Sequence, residues 1–447
     1  MGFPKERIKF VEHHLCHAGA CYYGLPVPKN EKVLVLTIDG SGDELCSTVS
    51  VATEGALKRI AQTEKGNSLG NIYSRVAFML GFIPWEHEHK LMGMAPYASF
   101  AGTEKAYGVF RKYLALSSDN GLLFKRKIPE STVLIYPRLR KDTELLRFDW
   151  ICAGLQRLTE ELLAEWVRNC IKKTGIRKIA LSGGVAMNVK ANKRISEIEG
   201  LEELYIMPSC GDETNSFGAA YNQYYENFRK PPLGFQDLYL GNDLNDDDAK
   251  KAIGDAIKEN KTFKSEYYKD IEAKVAELLA EGKVVARVKG RLEFGARALG
   301  NRSILADPSK LSLVREINLM VKKRDFWMPF APVTTKKNSS EYIVNPKNID
   351  SPYMMMSYDT THKREEFIAA VHQADHTARF QLIEESQNPG YFRVLKEFEK
   401  LTSRKVLLNT SFNLHGYPIV GGAKEALWVF FNSELKFMAL GNFLVFK

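Results

Sequence analysis

The stretch KVLVLTIDGSGDELCSTVSVA, residues 32–52, decides the fold class of this chain. Its first part is mostly apolar, a glycine-rich turn follows, and the last part alternates between apolar and polar residues. This pattern predicts a buried strand, a tight turn and a second strand. Asp39 and Asp43 flank the two glycines of the turn. Such carboxylates can bind a metal near a phosphate, or they can belong to a plain hairpin, for which Asp-Gly is a common signal.

Strands and helices alternate outward from this stretch. Residues 150–175 have apolar side chains at helical spacing and end at a glycine, and residues 178–195 and 201–225 each have the order strand, loop, helix. A helix is expected near 267–281 and a strand over 283–288. Residues 229–251 are rich in Pro, Gly and Asp. We therefore predict an α/β protein with domains at 1–228 and 266–447, joined by a connector over 229–265.

Composition bounds the class of protein. The chain has 447 residues, of which 45% are hydrophobic, and a net charge of +9. That length is enough for two domains. No apolar run is long enough to cross a bilayer and no signal-peptide core is found, so we predict a cytoplasmic protein without a membrane partner. The six cysteines form no CxxC pair, so we predict that they are reduced thiols. Because the basic residues are dispersed, the charge favours anionic small molecules over nucleic acid.

A histidine cluster lies in FVEHHLCHAGACYYG, residues 10–24. His13 and His17 are four residues apart, and His14 and His17 are three apart, so either pair would share one face of a helix. Two imidazoles one turn apart can chelate a divalent transition metal. The alternative is a partly buried helix whose histidines bond to their neighbours.

Two strand–loop–helix turns carry further candidates. SGGVAMN, residues 182–188, is a turn of the kind that holds a nucleotide, although many α/β proteins have such a Gly-Gly turn. PSCGDETNSFGAA, residues 208–220, places Asp212 just before a helix. That carboxylate can be a metal ligand or an N-cap.

Two motifs in the second half favour anion and amide binding. KGRLEFGARALGNRSILADP, residues 289–308, sets Arg291, Arg297 and Arg302 among glycines. Guanidinium groups suit phosphate and carboxylate oxygens, and glycines allow a ligand to approach the backbone. LLNTSFNLHGYPIV, residues 407–420, presents a polar cluster that includes Asn409 and Ser411 after an apolar strand. It can position a nucleotide or a carbamoyl-sized amide, or it is a polar turn between strands.

Seven motifs occur together in one order: VEHHLCHAGA, LTIDGSGD, KLMGMAPY, SGGVAMN, GDETNSFGAA, GRLEFGARALGNRSILADP and LLNTSFN. In this order they resemble the ATP-dependent O-carbamoyltransferases, the family of nodulation-factor and antibiotic-tailoring enzymes. The resemblance runs from about residue 8 to near the C-terminus.

The resemblance implies a fold and a two-step reaction. The N-terminal domain would be of the actin, sugar kinase and Hsp70 (ASKHA) ATPase type, incomplete at its start, and the C-terminal domain would resemble threonylcarbamoyl-AMP synthases. The C-terminal domain would form carbamoyl-adenylate from ATP and carbamoyl phosphate, with Mg²⁺ accompanying the ATP. The N-terminal domain would hold the intermediate at a metal, with Fe²⁺ favoured, while a hydroxyl of a sugar or natural-product acceptor attacks it.

The resemblance also assigns residues. The metal set would be His13, His17, Asp39 and Asp212. Gly184 and Asn188 would contact the nucleotide of the intermediate. ATP or carbamoyl phosphate would be bound by Arg291, Arg324, Arg379, Asn409 and Ser411. Catalytic roles would belong to Asp39, Arg291 and Arg324.

Members of the family carry a sizeable segment before the histidine cluster, with a strand hairpin and a candidate base. Here His13 lies only twelve residues after residue 1, so three interpretations stay open: a separate chain completes the domain, the sequence is truncated, or the acceptor site has diverged. A tRNA-modifying enzyme and a non-catalytic nucleotide-binding relic are the alternative functions. A homodimer is compatible with the sequence.

Overall fold

The computed structural model describes residues 3–447, which form two compact units. The first unit ends at Gln236 and the second runs over Asp237–Lys447. The segment 229–265 is therefore divided between the units, because it includes a helix over Asp246–Lys258 and a strand over Lys264–Tyr267 that belong to the second unit. The α/β class predicted from the sequence is confirmed.

The first unit combines one large sheet with helices. Its strands are β1 (Val33–Gly42), β2 (Leu45–Thr53), β3 (Ala56–Glu64), β4 (Leu114–Leu116), β5 (Phe124–Arg126), β6 (Lys178–Ser182) and β7 (Glu203–Ile206). Its helices are α1 (His13–Gly24), α2 (Leu69–Met79), α3 (Glu88–Met94), α4 (Phe100–Phe110), α5 (Tyr136–Thr143), α6 (Phe148–Thr174), α7 (Val189–Ser196) and α8 (Asn215–Phe228).

The five-stranded sheet of this unit has the order β3-β2-β1-β6-β7. The first three strands are antiparallel, whereas β1, β6 and β7 are parallel neighbours. Residues 33–36 of β1 are fully buried, because helices α1 and α2 both pack against this strand. Pairing of β1 with β2 is irregular between Ile38 and Gly42, which sets Asp39 in a break of the ladder. The predicted hairpin and its neighbouring strands are thus confirmed.

The second unit is built on an eight-stranded sheet. Its strands are β8 (Lys264–Tyr267), β9 (Val285–Val288), β10 (Arg302–Ala306), β11 (Ala331–Thr335), β12 (Tyr358–Asp359), β13 (Thr377–Ala378), β14 (Gln381–Ile383), β15 (Leu407–Ser411), β16 (Phe437–Leu440) and β17 (Phe443–Phe446). Its helices are α9 (Asp246–Lys258), α10 (Ile271–Ala280), α11 (Ser312–Ile317), α12 (Pro389–Thr402) and α13 (Ala423–Phe431). The predicted helix near 267–281 begins four residues later than expected, because Lys264–Tyr267 pairs with β17 as an edge strand.

The large sheet has the order β14-β11-β15-β10-β9-β16-β17-β8. Two apolar clusters cover its faces: side chains such as Ile304 and Leu408 belong to one, and Leu305 and Leu407 belong to the other. Successive residues of one strand thus enter opposite cores, as strand geometry requires. None of the described helices is long and apolar enough to cross a membrane.

Candidate functional site

Helix α1 presents the histidine cluster. Its N-cap residue Glu12 accepts hydrogen bonds from the backbone N–H groups of His14 and Leu15, at 3.0 and 2.8 Å, and its carboxylate is paired with Arg59. This cap fixes the first turn of the helix. His13 and His17 are therefore held one turn apart, and their Nε2 atoms lie 3.1 Å from each other.

The two histidines meet two carboxylates. The Nε2 atoms of His13 and His17 lie 3.3 and 2.9 Å from Oδ2 of Asp39, and 3.5 and 3.4 Å from Oδ1 of Asp212. His17 is fully buried, whereas the side chain of Asp212 is 73% exposed. The donor atoms of all four residues lie within 4.8 Å of one another. Two imidazole nitrogens and two carboxylate oxygens converging on one point fit a divalent transition metal.

The charges in this cluster are strongly coupled. Burial lowers the pKa of His17, but hydrogen bonds to Asp212 and Asp39 outweigh this effect and raise the pKa to about 9. Burial raises the pKa of Asp39, but the hydrogen bonds from His13 and His17 outweigh it and leave the pKa below its usual range. A divalent cation at this point would displace the proton of His17, and its two positive charges would be balanced by the carboxylates of Asp39 and Asp212.

His14 lies outside this cluster. It is fully buried, its Nδ1 lies 2.8 Å from Oγ1 of Thr37, and burial lowers its pKa to about 4. The adjacent histidines of the sequence thus have different environments, because neighbouring helix positions point in directions about 100° apart.

The turn of SGGVAMN lies against Asp39. A Cβ atom on Gly184 would be 2.9 Å from Oδ1 of Asp39, and a Cβ on Gly183, whose φ is +95°, would be 2.2 Å from the carbonyl oxygen of Ile38. Only glycine permits this approach. Asn188 closes the turn, since its Oδ1 accepts the backbone N–H of Ala191 at 3.0 Å and caps α7. Gly184 and Asn188 are thus in the same region as the four potential metal ligands.

Basic side chains in the second unit form a separate cluster, which we call the cation cluster: Arg297, Lys322, Arg324 and Arg379. Burial, followed by the charge of Arg297, lowers the pKa of Arg324 to about 10. Burial, followed by the charges of Arg297 and Arg324, holds the pKa of Arg379 well below its usual range. Within residues 3–447, Nε of Arg379 is buried with no hydrogen-bond partner, and the charges that shift the pKa of Arg324 and Arg379 come from arginines and not from a carboxylate. Partly buried cations without a carboxylate beside them favour an anionic ligand.

Lys322 joins this cluster to the LLNTSFN motif. It is 2% exposed, and its Nζ donates to Oγ of Ser411 at 3.0 Å and to Oδ1 of Asn413. Burial, followed by the charge of Arg324, holds its pKa well below the usual range. Asn409 donates to the carbonyl oxygen of Ala298 at 3.0 Å, and its buried Oδ1 has no partner among the described residues.

The remaining arginines of the GRLEFGARALGNRS motif contact backbone. Arg291 is exposed, and its guanidinium donates to the carbonyl oxygens of Leu240 and Gly241 at 3.1 and 3.3 Å. Arg302 is 1% exposed and donates to the carbonyl oxygens of Gly421 and Gly290, both at 3.0 Å. It lines an open cavity of about 980 Å³. Among the described residues, no hydrogen bond or ion pair joins Arg291 to Arg324, Arg379, Asn409 or Ser411. The role of Arg291 as a substrate contact stays a prediction.

Glu293 explains how this motif folds. It is buried, and its Oε1 accepts backbone N–H groups of Leu299, Asn301 and Arg302 at 2.7, 3.2 and 3.1 Å. Gly300 has a φ of +110°, and a Cβ there would lie 2.2 Å from the Tyr391 ring. The motif is thus a loop wrapped around one carboxylate.

Sequence reasoning missed two members of the cation cluster as individual site residues. Arg297 was visible only as one of three motif arginines, and Lys322 only as part of the short basic run VKKR, residues 321–324. Lys322 lies two residues before Arg324 in a short π-helical turn over Asn318–Lys322. Its spacing alone gives no sign that it is buried.

Comparisons with known proteins agree with the motif order. The sequence profile described as "Carbamoyltransferase N-terminus" matches residues 3–221, and that described as "Carbamoyltransferase C-terminus" matches residues 276–447. Nodulation protein NolO of Bradyrhizobium diazoefficiens is 30% identical over 98% of this chain and 79% of its own length. An uncharacterized protein of Methanocaldococcus jannaschii, MJ1058, is 31% identical over 99% of this chain and 74% of its own length. The chain belongs to the carbamoyltransferase family.

Two further comparisons cover only part of the other protein. Nodulation protein NolNO of Sinorhizobium fredii is 32% identical over 99% of this chain, which spans 64% of the length of that protein. Among solved structures, full-length HypF in a phosphate- and nucleotide-bound form has 18% identity and a TM-score of 0.33, covering 49% of this chain and 36% of that one.

Proposed function

We propose that the chain transfers a carbamoyl group, through a carbamoyl-adenylate, to a hydroxyl of a small-molecule acceptor such as a sugar or natural product. Membership of the carbamoyltransferase family supports the transferred group. The observation that carries the mechanism is the cation cluster, in which Arg324 and Arg379 are partly buried and the charges acting on them come from other arginines. Such a cluster requires anionic ligands, and ATP and carbamoyl phosphate both supply them.

The first step would take place in the second unit. Water hydrolyses carbamoyl phosphate to carbamate and phosphate, a carbamate oxygen then bonds to the α-phosphorus of ATP, and the bond from that phosphorus to pyrophosphate breaks. Negative charge accumulates on the departing groups, and the guanidinium groups of Arg324 and Arg379 and the ammonium of Lys322 stabilise it. Asn409 and Ser411, adjacent to the cluster on β15, would orient the ligands through hydrogen bonds.

The second step would take place in the first unit. The acceptor oxygen bonds to the carbamoyl carbon, the bond to AMP breaks, and the proton of the hydroxyl passes to a base. Gly183 and Gly184 let the SGGVAMN turn lie against β1 beside Asp39, and this turn would hold the intermediate there. His13, His17, Asp39 and Asp212 would hold a divalent metal, Fe²⁺ being favoured by the family resemblance, and a metal there supplies Lewis-acid polarisation of the carbamoyl carbonyl.

The test of this function needs no acceptor. We expect the purified chain, given ATP, Mg²⁺ and carbamoyl phosphate, to release pyrophosphate and form carbamoyl-AMP, both measured by mass spectrometry. Replacing Arg324 or Arg379 by alanine should lower the rate at least about 100-fold, because removal of one charge-stabilising donor typically costs that much.

Arg315→Ala is the matched control, because Arg315 is an exposed arginine of the same unit, and it should keep the wild-type rate. A well-folded wild-type chain that forms no carbamoyl-AMP, or cluster variants that retain the full rate, would refute the assignment of this step. Arg291→Ala decides separately whether the predicted contact of Arg291 with substrate exists, since loss of its two carbonyl bonds alone should leave the rate nearly unchanged.

A further inference from the structure

A buried amide network lies directly behind the SGGVAMN turn. Gln156 of α6 is 3% exposed. Its Nε2 donates to Oδ1 of Asn188 at 3.0 Å, and its Oε1 accepts from Nδ2 of Asn188 at 2.9 Å. The two side-chain amides thus form a bidentate pair across two helices. Gln156 and Asn188 are 32 positions apart in the sequence. No contiguous motif therefore indicates their pairing.

The orientation of both amides is determined. Oδ1 of Asn188 also accepts the backbone N–H of Ala191, and a backbone nitrogen can only donate, so this atom must be the oxygen. Gln156 must therefore face it with nitrogen. The remaining groups of Gln156 agree: Oε1 accepts the hydroxyl of Tyr73 at 2.9 Å, and Nε2 donates to Glu160 at 2.8 Å. All four hydrogen-bonding positions of the Gln156 amide are used.

The same network limits what Asn188 can offer a ligand. Its Oδ1 accepts two hydrogen bonds and its Nδ2 donates one. One N–H is left. The predicted nucleotide contact of Asn188 therefore reduces to a single donor, whose direction is set by the pairing with Gln156.

We infer that Gln156 is a positioning residue for the transfer site: its side-chain amide holds Asn188, and with it the turn over residues 183–188, in the conformation that binds the adenylate portion of the intermediate beside Asp39. The inference rests on the proposed function for the identity of the ligand. Tyr73 has a subsidiary role, because its hydroxyl donates to Gln156 and not to Asn188.

The test uses AMP as the probe and the full chain carrying Arg324→Ala, which weakens the proposed anion site of the second unit by removing one of its four cations. Binding is measured by isothermal titration calorimetry. Gln156→Leu keeps a similar volume and removes all four hydrogen bonds, so we expect AMP to bind about tenfold more weakly. Tyr73→Phe leaves the pairing with Asn188 intact and should weaken binding only about two- to threefold, and it serves as the second variant if Gln156→Leu does not fold.

Asn169→Leu is the matched control. Asn169 lies on the same helix as Gln156, and the substitution removes its hydrogen bond to the carbonyl oxygen of Gly121, which is not part of the turn over residues 183–188. It should leave AMP binding within twofold. Hydrogen exchange of the peptide covering residues 183–192 should accelerate in Gln156→Leu and stay unchanged in Asn169→Leu, with equal melting temperatures in the two variants.

The outcomes separate the two proposals. AMP binding that Gln156→Leu leaves unchanged, or a turn whose hydrogen exchange it does not alter, overturns the positioning role while the proposed function stands. If the chain carrying Arg324→Ala alone fails to bind AMP, both this role and the transfer step in the first unit are overturned. Pyrophosphate release by the unmutated chain tests the first step separately.

Discussion

At the scale of single residues, His17 illustrates how one side chain serves two states. It is fully buried and lies 2.9 Å from Asp39 and 3.4 Å from Asp212. Without a metal, the two carboxylates favour its charged form and raise its pKa to about 9. With a metal, the same Nε2 must give up its proton to become a ligand. Metal and proton therefore compete for one atom.

This competition predicts a pH dependence. Below pH 9 the metal must displace the proton of His17, so affinity should rise about tenfold per pH unit between pH 6 and 8, for one proton released. Above the pKa of about 9, the affinity should level off. Co²⁺ titrated calorimetrically at several pH values in buffers of different ionisation enthalpy measures both the affinity and the released proton.

His17→Ala should abolish this binding, since one of four donors and the buried imidazole are lost. His415→Ala, at an exposed histidine of the second unit, should bind Co²⁺ as the unmutated chain does. An affinity independent of pH over this range would show that His17 is not a ligand.

At the scale of elements, the local sequence of α6 determines where the helix ends, whereas a tertiary contact determines the role of a residue in its middle. The helix runs over Phe148–Thr174 and ends at Gly175, whose φ of +73° is left-handed. The sequence predicted this end from the glycine alone. It did not indicate that Gln156, in the middle of the helix, would pair with Asn188, because that pairing depends on how α6 lies against α7.

The end of α6 gives an element-scale prediction. Gly175→Ala should lower the free energy of unfolding by about 1 kcal/mol, because a Cβ is disfavoured in the left-handed region while no neighbouring atom lies within 4 Å of its position. Gly108→Ala should instead raise it by about 0.5–1 kcal/mol. Gly108 lies inside α4 with ordinary helical φ and an equally open Cβ position. Urea unfolding measures the free energy of unfolding of both variants. Changes of the same sign in the two variants would show that the backbone conformation at Gly175 does not determine the effect.

At the scale of the whole molecule, the chain divides at Gln236 and Asp237 into two units with separate sheets. The apolar clusters on the two faces of the second sheet consist entirely of residues after Asp237. The cation cluster also lies within that unit, and so do Ser411 and Asn413, the hydrogen-bond partners of Lys322. Each unit thus contains its own core and its own candidate chemistry.

We therefore expect residues 237–447 to fold when produced alone, with cooperative thermal unfolding followed by circular dichroism. If the first step belongs to this unit, the fragment should form carbamoyl-AMP at a rate within about tenfold of the full chain. A fragment that folds but releases no pyrophosphate would show that the first unit contributes to adenylate formation, and the same fragment with Arg379→Ala is the inactive reference.

The sequence by itself determined the α/β class, the β1–β2 hairpin, the helix bearing the histidines and the order of motifs that places the chain in the carbamoyltransferase family. These features depend on local periodicity and on turn-forming residues, both of which are properties of contiguous stretches of sequence. The family resemblance grouped His13, His17, Asp39 and Asp212, and the tertiary structure supplied their distances. Only the tertiary structure decided that His14 bonds to Thr37 and that Arg291 lies on backbone carbonyls. It alone also decided that Lys322 and Arg297 accompany Arg324 and Arg379, and that Gln156 supports Asn188. Such contacts join residues up to 199 positions apart, as between His13 and Asp212. They depend on how strands and helices are arranged in space, which the pattern of residues along the chain does not specify.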